Sequence, residues 1–157
     1  MVTGVHLRVG VVLVRNGAVL LMRHRRRGRA YWVVPGGRVG ETEAIDVAAR
    51  RELYEETGLE VRLGPLVAVF DINDQRGTRD LNLVFVADSF SCELSRPEGG
   101  PLSETLDVPA FVAGSDLETV SIRPPALRPL LADLAAGRCP AARFLGDITV
   151  DVVEGGL

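Results

Sequence analysis

The chain contains no lysine; all eighteen of its positive residues are arginine. A bias of this kind reads mainly as a GC-rich coding background, yet it means that any phosphate gripped by a cationic side chain meets a forked guanidinium and not a point ammonium. Cysteine is nearly as scarce. Cys92 and Cys139 are far apart and in no metal-ligand spacing, which excludes a disulfide framework or cysteine-bound zinc and predicts reduced core thiols in a cytoplasmic protein. No apolar run reaches membrane-spanning length, and the opening MVTGVHLRVGVVLV has neither the basic start nor the cleavage site of a signal peptide. Positive charge is not in excess either. A net charge of −3 gives no general attraction to nucleic acid, so any affinity for phosphate must come from a local cluster.

Internal repeats, low-complexity tracts and linkers are also missing, so residues 1–157 are expected to form one domain, with 137–157 as a C-terminal extension. A 46% hydrophobic and 25% charged composition is that of a globular protein with a substantial core. Residues 6–15 and 18–23 are rich in Val and Leu and flank Asn16-Gly17, which predicts a tight hairpin. His24 to Arg29 reads as a cationic loop, and Tyr31 to Val34 as a short strand ending at Pro35-Gly36-Gly37. A helix is predicted over 43–57, with Thr42 as its cap, Glu43 at its positive end and Gly58 at its left-handed close. Strands follow over 59–73, interrupted at Gly64-Pro65, and over 81–87. Residues 89–109 read as a long loop, 110–112 as a short strand, 125–136 as a helix and 144–153 as a final strand.

The helix carries the chemistry. At about 100° per residue, Glu52, Glu55 and Glu56 fall within an arc of about 100°. Crowded carboxylates repel one another and raise each other's pKa, which is poor for stability and good for seating a hard divalent cation. Ala48 and Ala49, beneath the acids, are small enough to leave room for ions and phosphate. A solvated face in which Arg50 and Arg51 pair with the acids is the bland alternative for such a charge run.

Gly37, Glu43, Arg51-Glu52-Leu53, Glu55-Glu56, Gly58 and Leu59 together match the signature of the Nudix hydrolases at every specified position, a pattern that chance would give with a probability of about 10⁻⁷ or less. The lead-in Trp32-Val33-Val34-Pro35-Gly36-Gly37 resembles the same family. The resemblance implies an α/β/α sandwich around a mixed sheet, and metal-dependent cleavage of the diphosphate in a nucleoside diphosphate linked to another moiety X. It implies magnesium or manganese held by Glu52, Glu55, Glu56 and the carbonyl of Gly36, with Arg51 orienting the acids and Glu43 bracing the loop. One departure is that Thr42 precedes Glu43 where the family often has Gly, while Gly40-Glu41 stands just before, which brings Glu41 into consideration.

Beyond the signature, Glu56 or Glu55 is a candidate base, as is Glu104 in the later loop. Arg23 is the favoured phosphate ligand of the cluster Arg23, Arg25, Arg26, Arg27 and Arg29, and Gly37 and Trp32 are placed near the substrate. Trp32 is more readily a core residue than a stacking platform, and His24 reads as a wet strand end. The expected partner is a nucleotide-derived small molecule such as ADP-ribose, a nucleoside triphosphate or a nucleotide sugar, with no membrane and no nucleic acid polymer. A homodimer through the Ile148-Val150-Val152 strand is a further expectation. The alternative is a non-catalytic Nudix-like module that senses a nucleotide.

Overall fold

The computed structural model describes residues 4–73, 77–91 and 106–149. Its elements run β1 (Gly4–Val12), β2 (Val14–Arg15), β3 (Ala18–Arg26), β4 (Arg29–Val33), β5 (Gly36–Arg38), α1 (Ile45–Thr57), β6 (Glu60–Asn73), β7 (Thr78–Ser91), β8 (Leu106–Ala113), α2 (Arg128–Ala135) and β9 (Arg143–Thr149). Short 3-10 turns at Gly114–Asp116 and Pro125–Leu127 lead into α2.

Two sheets form. The first has the order β5-β1-β7-β6-β9 and is mixed: β1 pairs with β7 and β6 with β9 in parallel, and the other pairs are antiparallel. The second joins β2, β3 and β4, with β8 along the other side of β3. The chain passes from one sheet to the other at Leu13, so the single opening strand of the sequence reading is in fact two.

Strand alternation separates two cores. Val9, Val11, Leu13 and Leu20 pack with Ala48, Ala49, Leu53 and Leu59 on the α1 side. Val12, Leu21, Phe70 and Val84 pack with Leu127, Leu130, Leu131 and Leu134 on the α2 side. One helix thus covers each face, giving the expected α/β/α arrangement.

The hairpin at Asn16-Gly17 forms as expected, both residues having positive φ (52° and 75°). A second hairpin of the same kind turns at Arg27-Gly28 (47° and 75°). His24 to Arg26 and Arg29 are therefore paired strand residues and not a loop; their charges hid the alternation. β6 runs through Gly64-Pro65 with register shifts in place of a break. β7 reaches Ser91 and β8 starts at Leu106, which narrows the expected loop from both ends. β9 pairs with β6 of its own chain and forms the edge of the first sheet. No helix among the described residues is long and apolar enough to cross a membrane. Cys139 is exposed, contrary to expectation, and Cys92 lies outside the described residues.

Candidate active site

α1 starts two residues later than its sequence suggests. Ala44 is its N-cap and no side chain caps it. Thr42 therefore does not cap it, and Glu43 takes a hydrogen bond from the Gly40 N–H at 3.0 Å, closing the loop before the helix. Gly58 ends α1 in the left-handed conformation (φ 76°) and donates to the Tyr54 carbonyl, as expected.

Arg51 organises this end of the fold. Its Nε and Nη2 reach the two oxygens of Glu43, each at 2.8 Å, while Nη1 reaches Glu52 at 2.9 Å and Glu55 at 3.4 Å. Nη2 also donates to the Arg38 carbonyl at 3.1 Å. Hydrogen bonds from Arg51, followed by the Gly40 N–H, hold the Glu43 carboxyl down at about 2, and the bond to Glu43 raises Arg51 in turn. One guanidinium therefore ties the loop to the helix and gathers two of its acids.

Glu56 takes a different partner. It accepts a hydrogen bond from the Gly36 N–H at 2.9 Å. Burial pushes its carboxyl up to about 8, with further upward pressure from Glu52 and Glu55; the Gly36 bond and the charge of Arg8 oppose the shift without cancelling it. The two glycines of the loop are there for space. A Cβ on Gly36, whose φ is 154°, would collide with the backbone of Val9 and Gly10, and one on Gly37 would occupy the position of the Glu52 carboxylate.

Whether these residues suit a metal follows from the donor set. Carboxylates gathered beside a glycine loop, one of them pushed up chiefly by burial, are oxygen donors of the kind a hard divalent cation takes. Among the described residues, no three His, Cys, Asp or Glu side chains already stand together as a ligand cage. Two of the acids are turned to Arg51 and the third to Gly36, so a cation would be met by side-chain rotation about a fixed helix.

The remaining candidates are dispersed. Arg23 sits on β3 opposite Trp32 on β4, four residues before Gly36. Trp32 is partly buried against the α2-side core, the packing role weighed for it from the sequence. Ala48 and Ala49 are fully buried in the α1-side core and line no ion site. His24 is half-buried, with its ring 5.4 Å from that of Tyr31 and its Nε2 sealed from solvent, so it is not a wet strand end; burial lowers its pKa. Glu104 lies outside the described residues. Arg8, which no sequence motif marks, pairs with Arg38 across β1 and β5, and its charge acts on Glu56.

The sequence model of the NUDIX domain matches residues 4–126. Diphosphoinositol polyphosphate phosphohydrolase 3-alpha of Mus musculus is 48% identical over 48 residues, 31% of this chain and 29% of that protein. RNA pyrophosphohydrolase of Caulobacter vibrioides is 53% identical over 53 residues, 32% of this chain and 31% of the relative. The matched stretch thus spans under a third of the length of these curated relatives. Among solved structures, the MutT NUDIX hydrolase of Burkholderia pseudomallei superposes with a TM-score of 0.60 at 28% identity, over 71% of this chain and 85% of that one. With a domain match over most of its length and the loop-helix geometry described above, the chain belongs to the Nudix hydrolase family.

Proposed function

We propose that this chain is a metal-dependent pyrophosphohydrolase that cleaves the diphosphate linkage of a nucleoside diphosphate joined to a further moiety. The observation that carries the reading is the acid face of α1, held against the Gly36-Gly37 loop by Arg51 on one side and by the Gly36–Glu56 bond on the other. That arrangement is costly for a surface helix and useful for binding a cation. The named activities of the relatives, an RNA pyrophosphohydrolase and a diphosphoinositol polyphosphate phosphohydrolase, support anhydride cleavage as the reaction class.

In this reading Glu52, Glu55, Glu56 and the Gly36 carbonyl hold magnesium or manganese, which when bound supplies charge neutralisation at the diphosphate and acidifies the attacking water. Arg51 keeps Glu52 and Glu55 aligned through its anchorage on Glu43. Glu56 or Glu55 accepts the proton of the water, and Glu104 is the outlying candidate for that role. Arg23, Gly37 and Trp32 flank the substrate, with Arg23 directed at phosphate. The substrate class is that of ADP-ribose, nucleoside triphosphates and nucleotide sugars. A homodimer through the outer edge of β9 belongs to the same reading and is decided by sedimentation of the full chain.

The test is a panel of nucleoside diphosphate derivatives incubated with magnesium or manganese, with products identified by mass. Release of a nucleoside monophosphate or phosphate from at least one, abolished by a chelator, is expected. Tight nucleotide binding with no cleavage anywhere in the panel would replace this reading with that of a nucleotide-sensing module.

A further inference from the structure

The first forty residues carry eight arginines and no acid, so all twenty-one acids of the chain stand after them. Charge segregated in this way points to an anionic partner for the basic part, even though the whole chain is net negative. Folding concentrates the excess further. The β3–β4 hairpin holds Arg23, Arg25, Arg26, Arg27 and Arg29, and Arg26 stands directly opposite Arg29 in its register. Like charges opposed across a strand pair destabilise it. Among the described residues, the guanidinium groups of Arg25, Arg26, Arg27 and Arg29 have no hydrogen bond or ion pair to offset that cost.

The turn adds a second cost. Asn16-Gly17 and Arg27-Gly28 reverse the chain with the same pair of positive φ angles, 52° and 75° in the first and 47° and 75° in the second. Asparagine suits the leading position of such a turn and arginine does not. The hairpin thus keeps a cation at its tip where another turn of the same chain uses a less strained residue.

The arrangement of the arginines says which anion they fit. Strand alternation puts Arg25 on one face of the ribbon and Arg26 with Arg29 on the other. Arg123 joins the second face: it is exposed, with its guanidinium 4.2 Å from the centre of the Tyr31 ring. A flat lipid surface would meet one face only, and the hairpin from Arg23 to Ala30 has no large exposed apolar side chain to enter a bilayer. A flexible strand of phosphates follows both faces and offers a forked guanidinium one phosphate after another. The ribbon is also continuous with the glycine loop, since β4 leads from Arg29 towards Gly36 over at most roughly 23 Å of extended chain.

We propose that the β3–β4 hairpin, with Arg123, is a docking ribbon for the backbone of a single-stranded polynucleotide, in place of the purely small-molecule partner that the sequence suggests. The ribbon's affinity rests on the hairpin alone. Its use in catalysis, presenting the end of a bound strand to the glycine loop, rests on the pyrophosphohydrolase reading.

Fluorescence anisotropy with a 5′-hydroxyl oligouridylate of about twelve nucleotides, in chelator, tests the ribbon without engaging a metal site. The full chain is expected to bind it at least about tenfold more tightly than a dinucleotide. Its log affinity should fall against log salt with a slope of about −2 or steeper, as each phosphate neutralised contributes about −0.7. Arg26→Gln with Arg29→Gln should weaken binding about tenfold or more, flatten the slope by about 1.4, and melt at or above the parent's temperature because opposed like charges are gone. Arg27→Asn should likewise melt higher and bind more weakly, opposite movements that an arginine serving only the fold would not give. Should the first pair of substitutions prevent folding, Arg25→Gln with Arg27→Asn carries the same test, both side chains being exposed. A parent that binds the long strand no better than the dinucleotide overturns the ribbon, as does a double variant within twofold of the parent. Retention by phosphatidylserine vesicles that competing oligouridylate does not reduce overturns it in favour of a membrane surface. With a 5′-triphosphorylated strand of the same length the loss should fall on KM, and turnover of small nucleotides should be unchanged. Polynucleotide binding through these arginines in a parent that cleaves nothing in the panel refutes the hydrolase reading and leaves the ribbon standing, whereas cleavage of small nucleotides without polynucleotide affinity refutes the ribbon alone.

Discussion

Glu56 accepts a hydrogen bond from the Gly36 N–H at 2.9 Å, joining the end of α1 to the glycine turn that leaves β4. A carboxyl in this place is buried, has other acids for neighbours and has its pKa raised to about 8. The proton it keeps at neutral pH is the cheapest answer to burial when no cation is present. Substitution at this residue therefore has opposite effects on activity and on the stability of the metal-free chain.

Glu56→Gln keeps the shape and the Gly36 bond while losing the charge. Turnover on any substrate of the panel should fall by about 10²-fold to 10⁴-fold, the range spanned by loss of a positioned proton acceptor. The sign for stability follows from the raised pKa. The stabilisation from a protonated Glu56 is complete below its ordinary value of about 4.5, declines above it and is lost as pH rises through about 8. The metal-free parent should thus melt lower at pH 9 than at pH 6 by more than the Gln variant does. Thermal scans of both proteins at the two pH values, with chelator present, measure the difference; equal slopes would show that Glu56 ionises normally.

Cation binding should expel that proton. At pH 7 the parent is expected to release up to one proton per ion bound through Glu56, and its manganese affinity should climb with pH and level off above about 8. Calorimetry in buffers of different ionisation enthalpy counts the protons. Glu56→Gln should release fewer and bind manganese more weakly at every pH.

The two glycines of the loop separate folding from function. At Gly36 the obstruction is backbone, from Val9 and Gly10, so Gly36→Ala is expected to destabilise the fold by about 2–4 kcal/mol. At Gly37 the obstruction is the tip of a flexible side chain, Glu52. Gly37→Ala should therefore fold with a melting temperature near the parent's and lose manganese affinity, because Glu52 must swing aside. Denaturant unfolding beside manganese titration distinguishes the two outcomes.

What could be read from the sequence tracks how local each cause is. The run from Gly37 to Leu59 encodes a helix and its Gly58 close within a few turns of chain, and both appear where the spacing places them. The start of the helix was less legible, because Glu43 could satisfy either a helix end or a distant arginine; Arg51 outcompetes the helix end with two hydrogen bonds. The β3–β4 hairpin has the sequence character of a loop because arginines extend both strands beyond the core, and only backbone pairing identifies them as strand. The Arg8–Arg38 juxtaposition was invisible, since thirty positions separate the two residues and their meeting depends on register.

Arg51 invites the closing prediction, since it is the point where helix, loop and acids meet. Its side chain is 36% exposed, so solvent screens the ion pairs and they contribute little to folding. What they fix is direction: Glu43 takes two prongs of the fork, leaving the third to hold Glu52 and Glu55. A lysine has one ammonium and cannot serve both sets. Arg51→Lys should accordingly keep its melting temperature within a few degrees of the parent's, while kcat/KM drops about tenfold to hundredfold through misplaced acids. Glu43→Gln weakens the same anchorage from the other end, so the double variant should lose less than the sum of the single losses in free energy. Full additivity in that cycle would show that Arg51 acts on the acids without help from Glu43, and the idea of a braced loop would have to be abandoned.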